Sequence, residues 1–221
     1  LNCVVPYNDP DYVDSRPNVR ITEDRIIPLG NGLGMNPAMA PIKDLYDEGK
    51  VAVIHGTGYP VPNRSHFRSM DIWHTAEPTK VGNEGWLGNT INQMYPQHDN
   101  VVAAVNFGAG LPRALVAHGA PVASVTDLKT YGLMNHMGES QQRNEALQAF
   151  RDMYSQAIGS GPVMDYLSQT GLDALKGADI LGTVLDKYSS DVEYSDNSFS
   201  KAMKGAAQVL QAEIGTRICY T

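Results

Sequence analysis

The chain has 221 residues, of which 42% are hydrophobic and 19% charged, and its formal net charge is −7. This length is enough to bury a substantial core, and the composition excludes a disordered chain. Two cysteines exclude a disulfide scaffold, and no apolar run reaches the roughly 20 residues that a membrane span requires. An acidic chain without a basic stretch also makes nucleic acid a poor candidate partner.

The first half of the chain alternates short strands with helices. Residues 26–29 predict at best an edge strand, because Pro28 cannot donate to a β-ladder. The glycines that follow predict a loop, since neither Gly30 nor Gly32 begins a dinucleotide-binding fingerprint. Apolar spacing then predicts helices over 36–48, 65–76 and 86–95, and strands over 50–54, 101–105, 114–117 and 121–125.

In the second half the composition shifts to helical patterns. Apolar residues at helical spacing predict helices over 139–158 and 162–188, the second of them softened by internal glycines. A last helix is predicted over 198–213, with Ser198 as its N-cap, followed by a strand over 217–221. This order of elements predicts an α/β fold, in which helices pack on a parallel sheet.

Residues 63–66, with the sequence Asn-Arg-Ser-His, form the most informative polar stretch. Ser65 follows a predicted strand and a proline-stiffened loop and stands at a helix start, which is a suitable position for a nucleophile. Backbone N–H groups there favour an anion such as phosphate or sulfate, and Arg64 and His66 are placed to neutralise or orient it. The other interpretation is that Ser65 or Asn63 only caps the helix. Both interpretations stay open.

Metal-ligand patterns are weak in this chain. Its six histidines include no pair four residues apart and no HExxH pattern. His66 and His74 are separated by about 12 Å along one helix, which is too far for shared coordination. Asp9, Asp11 and Asp14 imitate part of a calcium loop but lack its glycine and terminal glutamate. The sequence predicts no closed metal site.

Several longer motifs resemble one known family. They occur in order at 2–10 (with Arg16-Pro17), 45–60, 65–76 (SHFRSMDIWHTA), 85–88 (GWLG) and 111–115 (LPRAL). On these residues the chain resembles the domain of unknown function 1501 family, an exported, sulfatase-like bacterial family of the alkaline-phosphatase superfamily. The resemblance covers the whole chain and is densest at 1–90 and 198–221.

The resemblance implies a three-layer α/β/α sandwich of the alkaline-phosphatase type, present here as an incomplete domain. Residues 1–221 then form a single partial domain, in which 1–126 is the α/β part and 127–197 a mostly helical insertion or cap. Residues 198–221 supply a helix and a strand that return to the sheet. Family members carry Gly-Gly-Asn-Asp-Gly before this stretch and Gly-Gly-Phe-Asp-Thr-His after it, so we expect the chain to be an internal fragment.

The resemblance also implies metal-dependent hydrolysis of phosphate or sulfate esters, with two divalent metal ions about 4 Å apart in the complete protein. Ser65 matches the expected nucleophile, His66 and Asn63 are weaker catalytic candidates, and Arg64 is the candidate for substrate binding. No metal ligand is expected in this chain apart from bridging by Ser65. We therefore expect the chain alone to bind no cofactor and to be inactive.

The expected partner is a small-molecule phosphate or sulfate ester, including esters of saccharides, and the parent protein is expected to be exported to the periplasm or the extracellular space. The alternative function is a non-catalytic binding or scaffold module that retains the fold. The choice between phosphate and sulfate, the metal, the oligomeric state and the role of the helices over 139–188 stay open. Whether Cys3 and Cys219 pair also stays open, because sequence does not supply their geometry.

Overall fold

The computed structural model describes residues 2–134, 137, 141–155 and 161–221. The chain divides into two compact units, Leu1–Pro60 and Val61–Thr221, here called the N-terminal and C-terminal units. Both combine helices with a small open sheet, so the mixed α/β class predicted from the sequence is confirmed. Among the described residues, no helix is both long and apolar enough to cross a lipid bilayer.

The N-terminal unit contains a three-stranded antiparallel sheet in the order β1-β3-β2. The predicted edge strand at 26–29 is confirmed, because β2 lies at the edge of this sheet. The loop predicted for the glycines is confirmed only at Asn31 and Gly32, which have φ of 51° and 74° and form a two-residue hairpin turn, whereas Gly30 and Gly34 lie in β2 and β3. The elements are β1 (Val4–Val5), α1 (Pro10–Ser15), β2 (Ile27–Gly30), β3 (Leu33–Met35) and α2 (Ala40–Asp47).

The strand predicted over 50–54 is wrong. In the described structure these residues have no strand partner, and the Ile54 side chain is 82% exposed. A β-branched run is stabilised as a strand by pairing and burial, but this run has no pairing among the described residues and its Val51 and Val53 are only half-buried. The chain therefore reaches residues 61–65 as an irregular segment.

The C-terminal unit is built around a three-stranded parallel sheet in the order β5-β4-β6. Ala104 pairs with Val122 on one side of β4 and with Ile218 on the other. The predicted strand at the end of the chain is thus confirmed as β6. The elements are α3 (His66–Thr75), α4 (Trp86–Met94), β4 (Ala104–Phe107), β5 (Val122–Val125), α5 (Gln141–Ser155), α6 (Pro162–Gly182), α7 (Ser198–Gln211) and β6 (Ile218–Tyr220).

All four residues of β4 are buried, and alternate side chains belong to two apolar clusters. Val105 and Phe107 pack with Leu181 of α6 and Val209 of α7. Ala104 belongs to the second cluster, which includes Ile91 of α4. Helices therefore supply the apolar cover for both sets of β4 side chains.

Two strand predictions in this unit need correction. Residues 113–115 form a 3-10 turn and not the strand predicted over 114–117, with Leu115 fully buried. The strand predicted over 101–105 begins later, at Ala104, because Asn100 Oδ1 accepts from the Val102 N–H at 3.0 Å and holds a turn there.

The predicted helices are confirmed, although several of their ends shift. The helix predicted over 139–158 corresponds to α5, and its ends at 139–140 and 156–158 lie outside the described residues. The helix predicted to 188 ends at Gly182 and continues as a 3-10 turn, Leu185–Lys187. Asn197, not Ser198, caps α7, since its Oδ1 accepts from the Ser200 N–H at 2.8 Å.

Candidate functional site

The segment of residues 63–66, here called the Ser65 turn, leads directly into α3. Ser65 has an extended backbone and is the N-cap of this ten-residue helix, because its Oγ accepts from the Arg68 N–H at 3.4 Å. Asn63 Oδ1 accepts from the Ser65 N–H at 2.8 Å, and Ser69 Oγ donates to the Asn63 carbonyl at 2.9 Å. The turn is therefore held in shape by its own polar side chains.

The structure brings together the four predicted site residues, which are all exposed: Asn63, Arg64, Ser65 and His66. The capping interpretation of Ser65 is confirmed by its bond to Arg68. The nucleophile interpretation also relied on a strand before Ser65. That expectation is wrong, because the preceding segment is irregular. Exposure leaves the Ser65 hydroxyl open to a ligand from solvent.

Two backbone donors that lack an acceptor in the described structure and one cationic side chain belong to the first residues of α3 and to the Ser65 turn before it. The first-turn N–H groups of α3 at His66 and Phe67 have no acceptor among the described residues, and the helix dipole places positive potential there. The Arg64 side chain has no ion pair within the described parts of the chain. This arrangement is suited to binding an anionic oxygen.

A largely buried ionic network lies farther along α3, and the sequence analysis did not predict it. The Asp71 carboxylate, only 13% exposed, accepts from both Arg68 and Arg113. The spacing of Arg68 and Asp71, three residues apart on one helix, is a signal that could have predicted their pairing. Arg113 lies 42 residues away from Asp71, and no local pattern points to it.

The two arginines of this network also bind backbone carbonyls. Arg68 Nη2 donates to the carbonyls of Glu77 at 2.7 Å and Lys80 at 2.5 Å. Arg113 donates to the carbonyl of Gly82. The network therefore ties α3, the loop that follows it and the 3-10 turn at Arg113–Leu115 into one structure.

The described residues around Ser65 contain no cluster of metal ligands for the two-cation site that the family resemblance implies. Across the described ranges, no three His, Cys, Asp or Glu side chains are placed to hold one metal ion. Asp71, the acidic residue of α3, has both of its oxygens bound by arginines. We therefore derive no step through a metal ion from these residues.

A second polar arrangement lies at the carboxyl end of β4, where open α/β sheets commonly bind ligands. Asn106 is 2% exposed, and its Nδ2 donates to the Gly110 carbonyl at 2.7 Å and to Ser124 Oγ at 2.9 Å. Ser124 Oγ donates to the Gly110 carbonyl at 3.1 Å. Each hydrogen bond described for Ser65 lies within residues 63–69, so none of them joins Ser65 to this end of the sheet.

Both cysteines are free thiols. Cys3 is exposed, whereas Cys219 is half-buried on β6 and packs against the larger apolar cluster. Burial raises the pKa of the Cys219 thiol above its usual value, because the thiolate loses hydration there. Neither thiol belongs to the Ser65 turn.

No family model, curated protein or solved structure matches the chain. The resemblance to the exported sulfatase-like family therefore stays a prediction that depends on the motifs quoted above.

Proposed function

We propose that this chain is part of a metal-dependent hydrolase of phosphate or sulfate esters and that its α/β elements belong to an alkaline-phosphatase-like sandwich. One observation supports the proposal most directly: the Ser65 hydroxyl is exposed at the N-terminus of α3, beside unpaired backbone donors and Arg64. In such an enzyme the ligands of the divalent cations would lie outside this chain, apart from Ser65, which would be the one ligand that this chain contributes. The chain alone is then inactive.

In this proposal the Ser65 turn binds the anionic oxygens of the ester. The N–H groups of His66 and Phe67 donate to one oxygen, and Arg64 pairs with the charge of another. Ser65 Oγ attacks the phosphorus or sulfur atom, forming a covalent ester while the bond to the alcohol leaving group breaks. His66 is the candidate acceptor of the Ser65 proton, and Asn63 holds the Ser65 backbone in place.

The test uses the complete exported protein with a panel of aryl phosphate and aryl sulfate esters, together with metal analysis. Ser65→Ala should lower turnover by at least about a thousandfold, which is the scale of loss on removing a nucleophile. Ser65→Asn should lower it equally, although asparagine is as good a helix cap as serine. The exposed Ser195→Ala is the matched control and should keep full turnover.

Two results would contradict the proposal. One is a complete protein that contains no divalent metal. The other is turnover in Ser65→Asn that equals that of the unmodified protein, since this variant keeps the cap and loses only the hydroxyl.

The second candidate is a non-catalytic binding or scaffold module. It is favoured by the hydrogen bonding of the Ser65 turn, in which the serine already has a structural role and no described carboxylate contacts its hydroxyl. Binding of inorganic phosphate or sulfate to the complete protein, with no turnover of any ester in the panel, would support this function over the hydrolase.

A further inference from the structure

A cleft of about 250 Å³ lies in the C-terminal unit, apart from the Ser65 turn. Most of its lining residues come from α6, from the segments that precede β4 and β5, and from the start of β5. Its most buried lining side chains are apolar, since Val101 and Ala123 are 4% and 6% exposed. A cleft of this kind, mostly apolar with a few polar groups, is the usual form of a small-molecule site.

Two tyrosines line this cleft. Tyr166 of α6 is held by stacking against His118, with ring centroids 5.6 Å apart and the ring planes at 24°. Tyr131 comes from the segment after β5 and is half-buried. Aromatic rings attract cations through the negative potential of their faces.

Asp173 of α6 places a negative charge in the same cleft. Gln169 Nε2 donates to Asp173 Oδ1 at 2.7 Å, and in the described parts of the chain no lysine, arginine or histidine forms an ion pair with this carboxylate. Lys176, three residues farther along α6, donates instead to the carbonyl of Asp99 at 3.2 Å. The charge of Asp173 is therefore not neutralised by a protein cation.

We propose that this cleft binds a small organic cation, an ammonium group that carries an apolar body. Asp173 is its counter-ion, Tyr131 and Tyr166 contact the ammonium group, and the side chains around Val101 cover the apolar part. A neutral or anionic ligand would displace water from the Asp173 carboxylate without supplying a positive charge, which is unfavourable. The net charge of −7 also favours the approach of cations.

Choline is a suitable probe, because dimethylbutanol is its neutral isostere with the same shape. Titration of the full chain with choline, followed by NMR, should give saturable binding in the millimolar range. Dimethylbutanol should bind at least about tenfold more weakly, since it has no charge to pair with Asp173.

Three variants locate the site. Asp173→Asn should weaken choline binding about tenfold, and Asp165→Asn, an exposed aspartate on the same helix, should not change it. Tyr166→Leu should weaken choline binding by roughly twofold to fivefold and leave dimethylbutanol unaffected.

Absence of choline binding would overturn the proposal. So would equal binding of choline and dimethylbutanol, or Asp173→Asn binding as the unmodified chain does. If Asp173→Asn does not fold, the comparison of the two ligands and the Tyr166→Leu result decide the question.

Discussion

Asp71 and Arg113 form an ion pair that joins two distant motifs of the sequence. Asp71 lies in the SHFRSMDIWHTA motif and Arg113 in the LPRAL motif, 42 residues later. The Asp71 carboxylate is 13% exposed and also binds Arg68. The residues that define these motifs therefore include a structural network as well as the Ser65 turn.

We expect Asp71→Asn to lower the free energy of unfolding by about 2 kcal/mol, because it leaves two guanidinium groups close together without their shared carboxylate. Urea denaturation followed by circular dichroism measures the change. Asp191→Asn, at an exposed position with no ion pair in the described structure, is the control and should leave the midpoint unchanged. An unchanged midpoint in Asp71→Asn would show that the network does not stabilise the fold.

The cap at Ser65 gives a separate prediction about stability. Ser65→Ala should destabilise the chain by about 1 kcal/mol, because the Arg68 N–H loses its acceptor. Ser65→Asp should restore most of this loss, since aspartate caps well and its charge favours the helix N-terminus. Thermal unfolding of the three proteins checks the order, and equal stability of the alanine and aspartate variants would contradict it.

Gly85, the N-cap of α4, is packed against the backbone of the 3-10 turn at Arg113–Leu115. A Cβ added at Gly85 would collide with the carbonyl oxygens of Arg113 and Ala114, and backbone cannot move aside as a flexible side chain can. We expect Gly85→Ala to cost about 3 kcal/mol of stability, by the scale of overpacking.

The matched control is Gly182→Ala at the end of α6, where an added Cβ meets nothing within 4 Å. Because alanine is the better helix former, this variant should be neutral or slightly stabilising. Chemical denaturation of both variants measures the difference. A Gly85→Ala chain as stable as Gly182→Ala would contradict the described packing of α4.

The two thiols should differ in their reaction with iodoacetamide. The exposed Cys3 should be alkylated quickly, whereas Cys219 should react slowly, because it is half-buried and its pKa is raised by burial. Peptide mass spectrometry of timed samples separates the two rates, and unfolding in urea should make them similar. Faster alkylation of Cys219 in the native chain would contradict the packing of β6.

The raised pKa of Cys219 also gives a direction for stability against pH. The folded chain favours the neutral thiol, so the contribution of this group is fully present below the pKa of the unfolded chain. It is lost as the pH rises through the folded value. When the pH is raised from neutral to alkaline, the free energy of unfolding of Cys219→Ala should therefore fall less than that of the unmodified chain.

Much of the helical structure could be predicted from the sequence, because apolar spacing and capping are local signals. The start of α3 after Ser65 and the end of α2 before Gly49 follow from residues close by. The hairpin of the N-terminal unit was also predictable, since Asn31-Gly32 is a strong turn signal that the glycine-loop interpretation overlooked.

The errors arose where structure depends on distant partners. Residues 50–54 have strand-forming side chains but find no strand to pair with, whereas residues 104–107 are paired on both sides. For the same reason the Arg113 partner of Asp71 and the cleft around Asp173 could not be foreseen. Their residues come together only through the packing of α3, α6 and the parallel sheet.

The pairing of β4 with β6 has a consequence for synthesis of the chain on the ribosome. Thr216, just before β6, bonds to the carbonyl of Val102, which lies 114 residues earlier. The ribosome adds about 5 to 20 residues per second. One side of β4 therefore stays without its partner strand for roughly 6 to 23 seconds after β4 is synthesised. During that interval the nascent chain exposes the unpaired edge of β4. Chaperones are suited to protect an apolar strand edge of this kind.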